Sequence, residues 1–319
     1  MTKLKTKQGG ASSAAFIFPG QGVQAVGMGR DLYNNSPAAR AVFEEVDDAL
    51  GRNLTALMFE GPEEDLRQTA NAQPAIMAAS LATVEAIKEQ AGSSGLPTPA
   101  MMAGHSLGEY TALAVSGVLG VADTARLVEE RGRLMQRACE LSPGTMAAII
   151  GLDQMAVEEI SRQTGTYVSN VNTGEQVVIS GEVLAVARAL DMASARGAKK
   201  AIPLRVGGAF HSALMKPASD GLAKVVGGLD LRDPSVPIVA NMTGEPIYTA
   251  SELRQELITQ VCECVQWKRS VEYMIESGVT NFVEIGPGRA LSGMIKRIDR
   301  SVATSAVGDQ ASVSSFSLN

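Results

Sequence analysis

Aromatic side chains are scarce, 4% of 319 residues with a single Trp. An interior that rings cannot fill must be filled by close packing of small aliphatic side chains, which the 45% hydrophobic content supplies, and such packing suits helices stacked on strands. Cysteine is as sparse: Cys139, Cys262 and Cys264 are an odd set, which excludes a complete disulfide framework. The Cys262-x-Cys264 pair has no second Cys or His pair to complete a metal site, so the three read as reduced thiols with no metal. No apolar run approaches the roughly 20 residues needed to cross a bilayer. Positive charge is not in excess either. With 28 basic against 34 acidic residues the net charge is -6, which argues against general affinity for nucleic acid or an anionic membrane. Histidine occurs twice, as His105 and His211, so chemistry that needs an imidazole base has two candidates.

What is present is an alternation of short apolar runs with helical periodicity. Residues 1–15 carry three lysines and then Gly, Ala and Ser without an apolar signal-peptide core, and read as a flexible leader running into a strand at Ala14–Phe18. The chain is expected to be soluble and cytoplasmic. Pro19-Gly20-Gln21-Gly22 is a tight turn after that strand. Helical patterns follow at Pro37–Leu50 and from a cap at Asn71-Ala72-Gln73-Pro74 to about Gln90. Ala100–Ala103 reads as a strand, Gly104–Gly108 as a turn, and the chain continues as an Ala-rich helix from about Glu109 and a second over Val121–Cys139. Residues 143–206 then read β-α-β-β-α-β, the order of a ferredoxin-like subdomain. Strands at Pro237–Asn241 and Asn281–Ile285 return the chain to the first unit. The fold class expected is therefore α/β, with a catalytic domain over 16–142 and 207–304, an inserted subdomain over 143–206, and a weakly structured Ser/Ala tail over 305–319.

Gly104-x-Ser106-x-Gly108 between a strand and a helix matches the nucleophile elbow, a strained turn that exposes a serine hydroxyl and lets the next N–H, that of Leu107, stabilise an oxyanion. The five-residue pattern alone is only moderately specific, because Gly-rich turns around a serine are common. A serine hydroxyl needs a base. His105 adjoins Ser106 and should point away from its hydroxyl, which leaves His211. A hydrolase triad would place an acid between serine and histidine in chain order, but the acids there fall on predicted helices or in the inserted subdomain, so a dyad with His211 held by a backbone carbonyl is the simpler reading. Gly20-x-Gly22-x-x-Ala25 formally fits a dinucleotide fingerprint; the acids about twenty residues on, Glu44 and Glu45, lie inside a helical pattern, which fails that context. A loop that brings the Gln21 amide or backbone N–H to Ser106 fits better.

Phe18-Pro19-Gly20-Gln21-Gly22, Gly104-His105-Ser106-Leu107-Gly108-Glu109-Tyr110, Ala209-Phe210-His211-Ser212 and Val265-Gln266-Trp267 together resemble the malonyl-CoA:acyl carrier protein transacylases, over about Phe16 to Ile298. The resemblance implies an α/β-hydrolase-like large domain with a ferredoxin-like insertion. It implies malonyl transfer from malonyl-CoA to an acyl carrier protein through a malonyl-serine, for fatty acid or polyketide synthesis, by a monomer without cofactor. Ser106 then resembles the nucleophile, His211 the base, and Gln21 with the Leu107 amide the oxyanion site. Gln266 resembles the residue whose carbonyl orients the histidine, Arg131 the partner of the free malonyl carboxylate, and Phe210 and His105 pocket residues. Val23, Gly207 and Cys264 depart from the commoner residues of the family in three loops. Two other readings stay open on the residues: a serine thioesterase or esterase using the same nucleophile, against which Arg131 weighs, and a non-catalytic carrier-protein docking module, against which the intact Ser106 and His211 weigh.

Overall fold

A computed structural model describes residues 13–317. Its strands, in chain order, are β1 (Ala14–Phe18), β2 (Met101–Gly104), β3 (Thr145–Ile150), β4 (Tyr167–Thr173), β5 (Gln176–Gly181), β6 (Lys200–Pro203), β7 (Ile238–Val239), β8 (Pro246–Ile247), β9 (Asn281–Ile285) and β10 (Ala303–Val307). They form two sheets. The larger has the order β10-β9-β1-β2-β7-β8, parallel except for the antiparallel β7–β8 pair, and the smaller, β4-β5-β3-β6, is antiparallel throughout.

The central strand explains the first sheet. Every residue of β1 is buried, as expected for a parallel strand covered on both faces. Phe16 and Phe18 enter one apolar cluster with the helices Pro37–Leu50, Thr69–Ala91 and Val121–Leu141, while Ala15 and Ile17 enter another with Trp267, Val271 and Leu291. That split is the period-two alternation of a strand. The helix at Pro37–Leu50 has the expected bounds because Ser36 accepts from the Ala39 N–H at one end and Gly51 takes φ 62° at the other. The next long helix begins at Thr69, before the expected cap at Asn71. Pro74 therefore lies inside it, and Arg52 Nη2 donates to the Ala70 carbonyl that a proline four residues on cannot satisfy (3.4 Å).

After the helix Val121–Leu141 the chain leaves for the second sheet, and it returns after β6. The helices Gln154–Thr164 and Val183–Ala195 bury Val157, Ile160, Val186 and Ala189 against Ala147, Ile149, Val177 and Ile179. Strand β6 stops at Pro203, before the expected end of the subdomain at residue 206, and β7 has two residues where the sequence suggested five.

The tail departs from expectation. Residues 305–319 read as weakly structured, yet β10 pairs in parallel with all of β9, and the helix Gln310–Ser315 starts on a capping box between Asp309 and Ser312. Small residues gave no apolar signal because an edge strand is held chiefly by backbone hydrogen bonds; among the described residues of the tail only Val307 and Val313 are buried. Of the expected leader, residues 1–12 lie outside the described residues, and Ala14 and Ala15 belong to β1. Among the described residues no helix is long and apolar enough to cross a membrane, and the three cysteines are unpaired.

Candidate active site

Ser106 sits where β2 turns into the helix Leu107–Val115, with φ 52° and ψ -104°. A left-handed φ in a residue with a Cβ is strained, and the turn tolerates it through its glycines. A Cβ on Gly104 would lie 1.9 Å from the Gly108 carbonyl carbon, and one on Gly108 2.0 Å from the Phe18 oxygen. Only glycine lets strand and helix approach this closely. The serine peptide is held at both ends: its N–H donates to Asn241 Oδ1 (2.7 Å) and its carbonyl accepts from Gln260 Nε2 (3.0 Å).

His211 follows Phe210 and has φ 55°. Its Nε2 lies 2.8 Å from Ser106 Oγ. The other ring nitrogen, Nδ1, faces the main-chain carbonyls of Gln260 (3.0 Å) and Glu263 (3.1 Å), both acceptors, so it carries the proton and leaves the Nε2 lone pair to the hydroxyl. Burial, seconded by the Arg131 charge, pushes the imidazole down to about 3, so the ring is neutral at pH 7.

The expected role of Gln266 is corrected here. Its main-chain N–H donates to the Asn241 carbonyl and its own carbonyl accepts from Ser270 at the start of the helix Trp267–Glu276. A carbonyl committed to the first turn of that helix is not the one at His211; Gln260 and Glu263 supply those, from a short turn before β-bridged Val265.

Arg131 is fully buried on the helix Val121–Leu141. Its Nη1 donates to Gln73 Oε1 (2.6 Å), and Nη2 to Gln260 Oε1 (2.9 Å) and Ser106 Oγ (3.1 Å), while Nε has no partner. The guanidinium carbon stands 4.8 Å from the Tyr110 ring centroid. Burial lowers its pKa from the ordinary value. Gln73 also donates to Gln21 Oε1 (3.2 Å), which ties the Pro19–Gly22 turn to the same network. Leu107 is the first residue of its helix, where N–H groups have no intrahelical acceptor. His105 points from Ser106 to Asn172 on β4, with Nε2 2.9 Å from Asn172 Oδ1, and burial keeps it neutral. Phe210 lines the same cleft, which Gln21, Ser106, His105, Asn172 and His211 also line.

Gln21, Ser106, Leu107, Arg131, His211, Phe210 and His105 are thus gathered in one place; Gln266 is not among them. Sequence reasoning missed Gln73, Asn172, Asn241 and Gln260, which act through side-chain amides outside any short motif. Glu109 lay in the quoted Gly104–Tyr110 segment, but nothing in that segment marked it as buried.

A strained serine whose hydroxyl meets a bare imidazole nitrogen, beside the Leu107 N–H at the helix start, is built for nucleophilic acyl transfer on an α/β sheet. The chain belongs to the acyl transferase domain family, whose model matches residues 15–314. It is 42% identical over 307 residues to the malonyl CoA-acyl carrier protein transacylase of Bacillus subtilis (strain 168), covering 95% of each chain. The crystal structure of the acyl-carrier-protein-S-malonyltransferase of Bartonella henselae superposes with a TM-score of 0.91 at 42% identity, over 95% of this chain and 97% of that one. A malonyl-transacylase solved in complex with its type II polyketide acyl-carrier protein gives a TM-score of 0.91 at 43% identity, over 95% and 98%.

Proposed function

We propose that this chain transfers a malonyl group from malonyl-CoA to the phosphopantetheine thiol of an acyl carrier protein, for fatty acid or polyketide synthesis, through a malonyl-Ser106 intermediate. The observation that carries the reading is the Ser106 hydroxyl held by two groups at once: His211 Nε2 at 2.8 Å and Arg131 Nη2 at 3.1 Å. In loading, Oγ attacks the thioester carbonyl as its proton passes to His211 Nε2. The C–S bond then breaks, and the coenzyme A sulfur leaves with the proton from Nε2. In transfer, the carrier thiol gives its proton to Nε2, its sulfur attacks the ester carbonyl, and Ser106 leaves by taking that proton back. The Gln260 and Glu263 carbonyls stabilise the transient imidazolium through Nδ1–H. The Leu107 N–H and the donors of Gln21, whose Oε1 is already engaged by Gln73, are suited to the oxyanion.

Arg131 selects the acyl group in this reading. A carboxylate in a buried pocket is unfavourable unless paired; the orphaned Nε offers it one donor, and the Nη2 hydrogen on Ser106 Oγ offers a second on leaving that oxygen. Phe210 and His105 wall the cleft and limit the size of the group beside the carboxylate. The strand order β4-β5-β3-β6 supports the ferredoxin-like reading of residues 143–206, and the parallel sheet with its serine elbow supports the α/β-hydrolase-like one of the rest. The unpaired cysteines favour a cytoplasmic setting.

Mass spectrometry after mixing the protein with malonyl-CoA tests the proposal: an added malonyl mass on the Ser106 peptide, discharged by holo carrier protein and absent in Ser106→Ala, is expected. Release of free malonate without a carrier would make the protein a thioesterase. A Ser106→Ala variant that still accumulates the adduct would remove Ser106 from the reaction.

A further inference from the structure

Behind Ser106 lies a buried layer that the transfer reaction does not consume. Gln260 is its hub: the side-chain Nε2 donates both to the Ser106 carbonyl and to the Glu109 carboxylate, and Oε1 accepts from Arg131 Nη2. Asn241 is the second arm. Its Oδ1 accepts the Ser106 N–H, its Nδ2 donates to the Gly104 carbonyl (2.7 Å) and to Glu109 Oε1 (3.2 Å), and its main-chain N–H donates to the same Oε1 (2.9 Å). Glu109 has no exposed surface. Three N–H donors therefore converge on one buried carboxyl, and a single amide separates it from the Arg131 guanidinium. Among the described residues, Arg131 forms no direct ion pair.

We propose that Glu109 is the buried countercharge of Arg131 and a positioning residue for Ser106. Its carboxylate aligns the Gln260 and Asn241 amides that hold the strained serine peptide, and its charge limits how tightly Arg131 grips a carboxylated acyl group. The inference rests on the reading of Arg131 as the partner of the malonyl carboxylate.

Two acids are buried here, and the contacts mark Glu109 as the charged one: Oε1 accepts two N–H groups and Oε2 a third, which leaves a carboxyl proton no acceptor. Glu256 receives the Met242 N–H, and burial pushes it up to about 7. Burial and the neighbouring Glu256 also raise Glu109, against the donors and Arg131, which favour its charged form. The arrangement has a use. A guanidinium with no countercharge would bind the malonyl carboxylate more tightly at every stage of the reaction, and extra binding of that uniform kind does not raise the rate of transfer.

Single-turnover loading separates the apparent Kd of the acyl donor from the limiting rate, and Glu109→Gln is the variant to load. Removing a charge one amide away should tighten malonyl-CoA by roughly 3- to 30-fold and leave acetyl-CoA within about twofold. The limiting rate should fall roughly 10- to 100-fold for both, because a glutamine amide cannot accept from both Gln260 and Asn241 as the carboxylate does. A malonyl-CoA Kd that is unchanged or weaker, in a variant that melts cooperatively, overturns the proposal. Glu109→Asp keeps the charge and retracts the contacts. It should show the wild-type ratio of malonyl to acetyl Kd with a lower limiting rate, and a shifted ratio overturns the proposal even if Glu109→Gln fails to fold. Wild type that never forms malonyl-Ser106 would instead sink the functional reading, whereas normal wild-type loading with an unmoved Kd in Glu109→Gln sinks this inference alone.

Discussion

His211 should remain a neutral base well into acid. A histidine of ordinary pKa, 6.5, would be about 3% neutral at pH 5, whereas one held at about 3 is roughly 99% neutral there, a difference of about 30-fold in competent base. The cause is in the packing: the ring is buried, Arg131 stands across the serine from it, and the groups at Nδ1 are carbonyl dipoles where a triad would have a carboxylate. Protonation of Nε2 would place a second positive charge beside the guanidinium with no anion in contact. Loading should be followed with a malonyl thioester of pantetheine, which lacks the phosphates of coenzyme A and their own ionisations. The rate constant is expected to keep most of its pH 7 value at pH 5. With two histidines in the chain, imidazole nitrogen NMR adds a direct reading, and a His105→Gln variant assigns the signals. An acid limb with a midpoint near 6.5, matched by an imidazole signal titrating there that survives His105→Gln, would refute the reasoning.

Glu256 works on stability in the opposite sense to an ordinary carboxyl. Its folded pKa, about 7, lies above the unfolded 4.5, so the folded state holds the proton more tightly, and stability is lost as pH rises through 7. Glu256→Gln should gain on wild type by about 2 kcal/mol more at pH 8 than at pH 5 in denaturant melts, and an advantage that does not grow with pH would show that the carboxyl is not buried as described. Gln260→Ala leaves its carbonyl at His211 but strips the amide from Ser106, Glu109 and Arg131, so loading should drop about 100-fold, while Gln266→Ala stays within about threefold. The reverse ranking would show that the Gln260 amide does not hold the serine turn. Arg131→Ala should cost on the order of 2 to 5 kcal/mol in malonyl loading and keep or raise acetyl loading. Equal loss for both thioesters would mean that Arg131 supports the fold and reads no carboxylate.

The parts of this molecule that the sequence made visible are those where chemistry forces residue type locally. Gly104 and Gly108 announce the elbow because nothing larger fits between the two glycines or between Gly108 and Phe18, and β1 announces a two-faced core because all five of its residues are apolar. The scarcity of histidine singled out His211. What stayed hidden was carried by long-range geometry. Gln260 and Gln266 are both glutamines before the helix Trp267–Glu276, and only the folded path shows which carbonyl reaches Nδ1. Glu109, in the first turn of an Ala-rich helix, carries no mark of burial until Asn241 arrives from 132 residues away. Strand β10 was invisible because an edge held by main-chain pairing asks little of its side chains.

Among the described residues, the two non-glycine positions with left-handed φ are Ser106 and His211, at 52° and 55°. Backbone strain of this kind costs of order 1 to 3 kcal/mol per residue, so the fold concentrates its conformational debt on the two side chains that meet at 2.8 Å. Glycine at either position would relax the chain and abolish the encounter. A laboratory selection for thermal resistance alone would therefore drift toward Ser106→Gly or His211→Gly and enrich well-folded, inert proteins. Any programme to harden this scaffold has to hold those two codons fixed and look for its gains elsewhere.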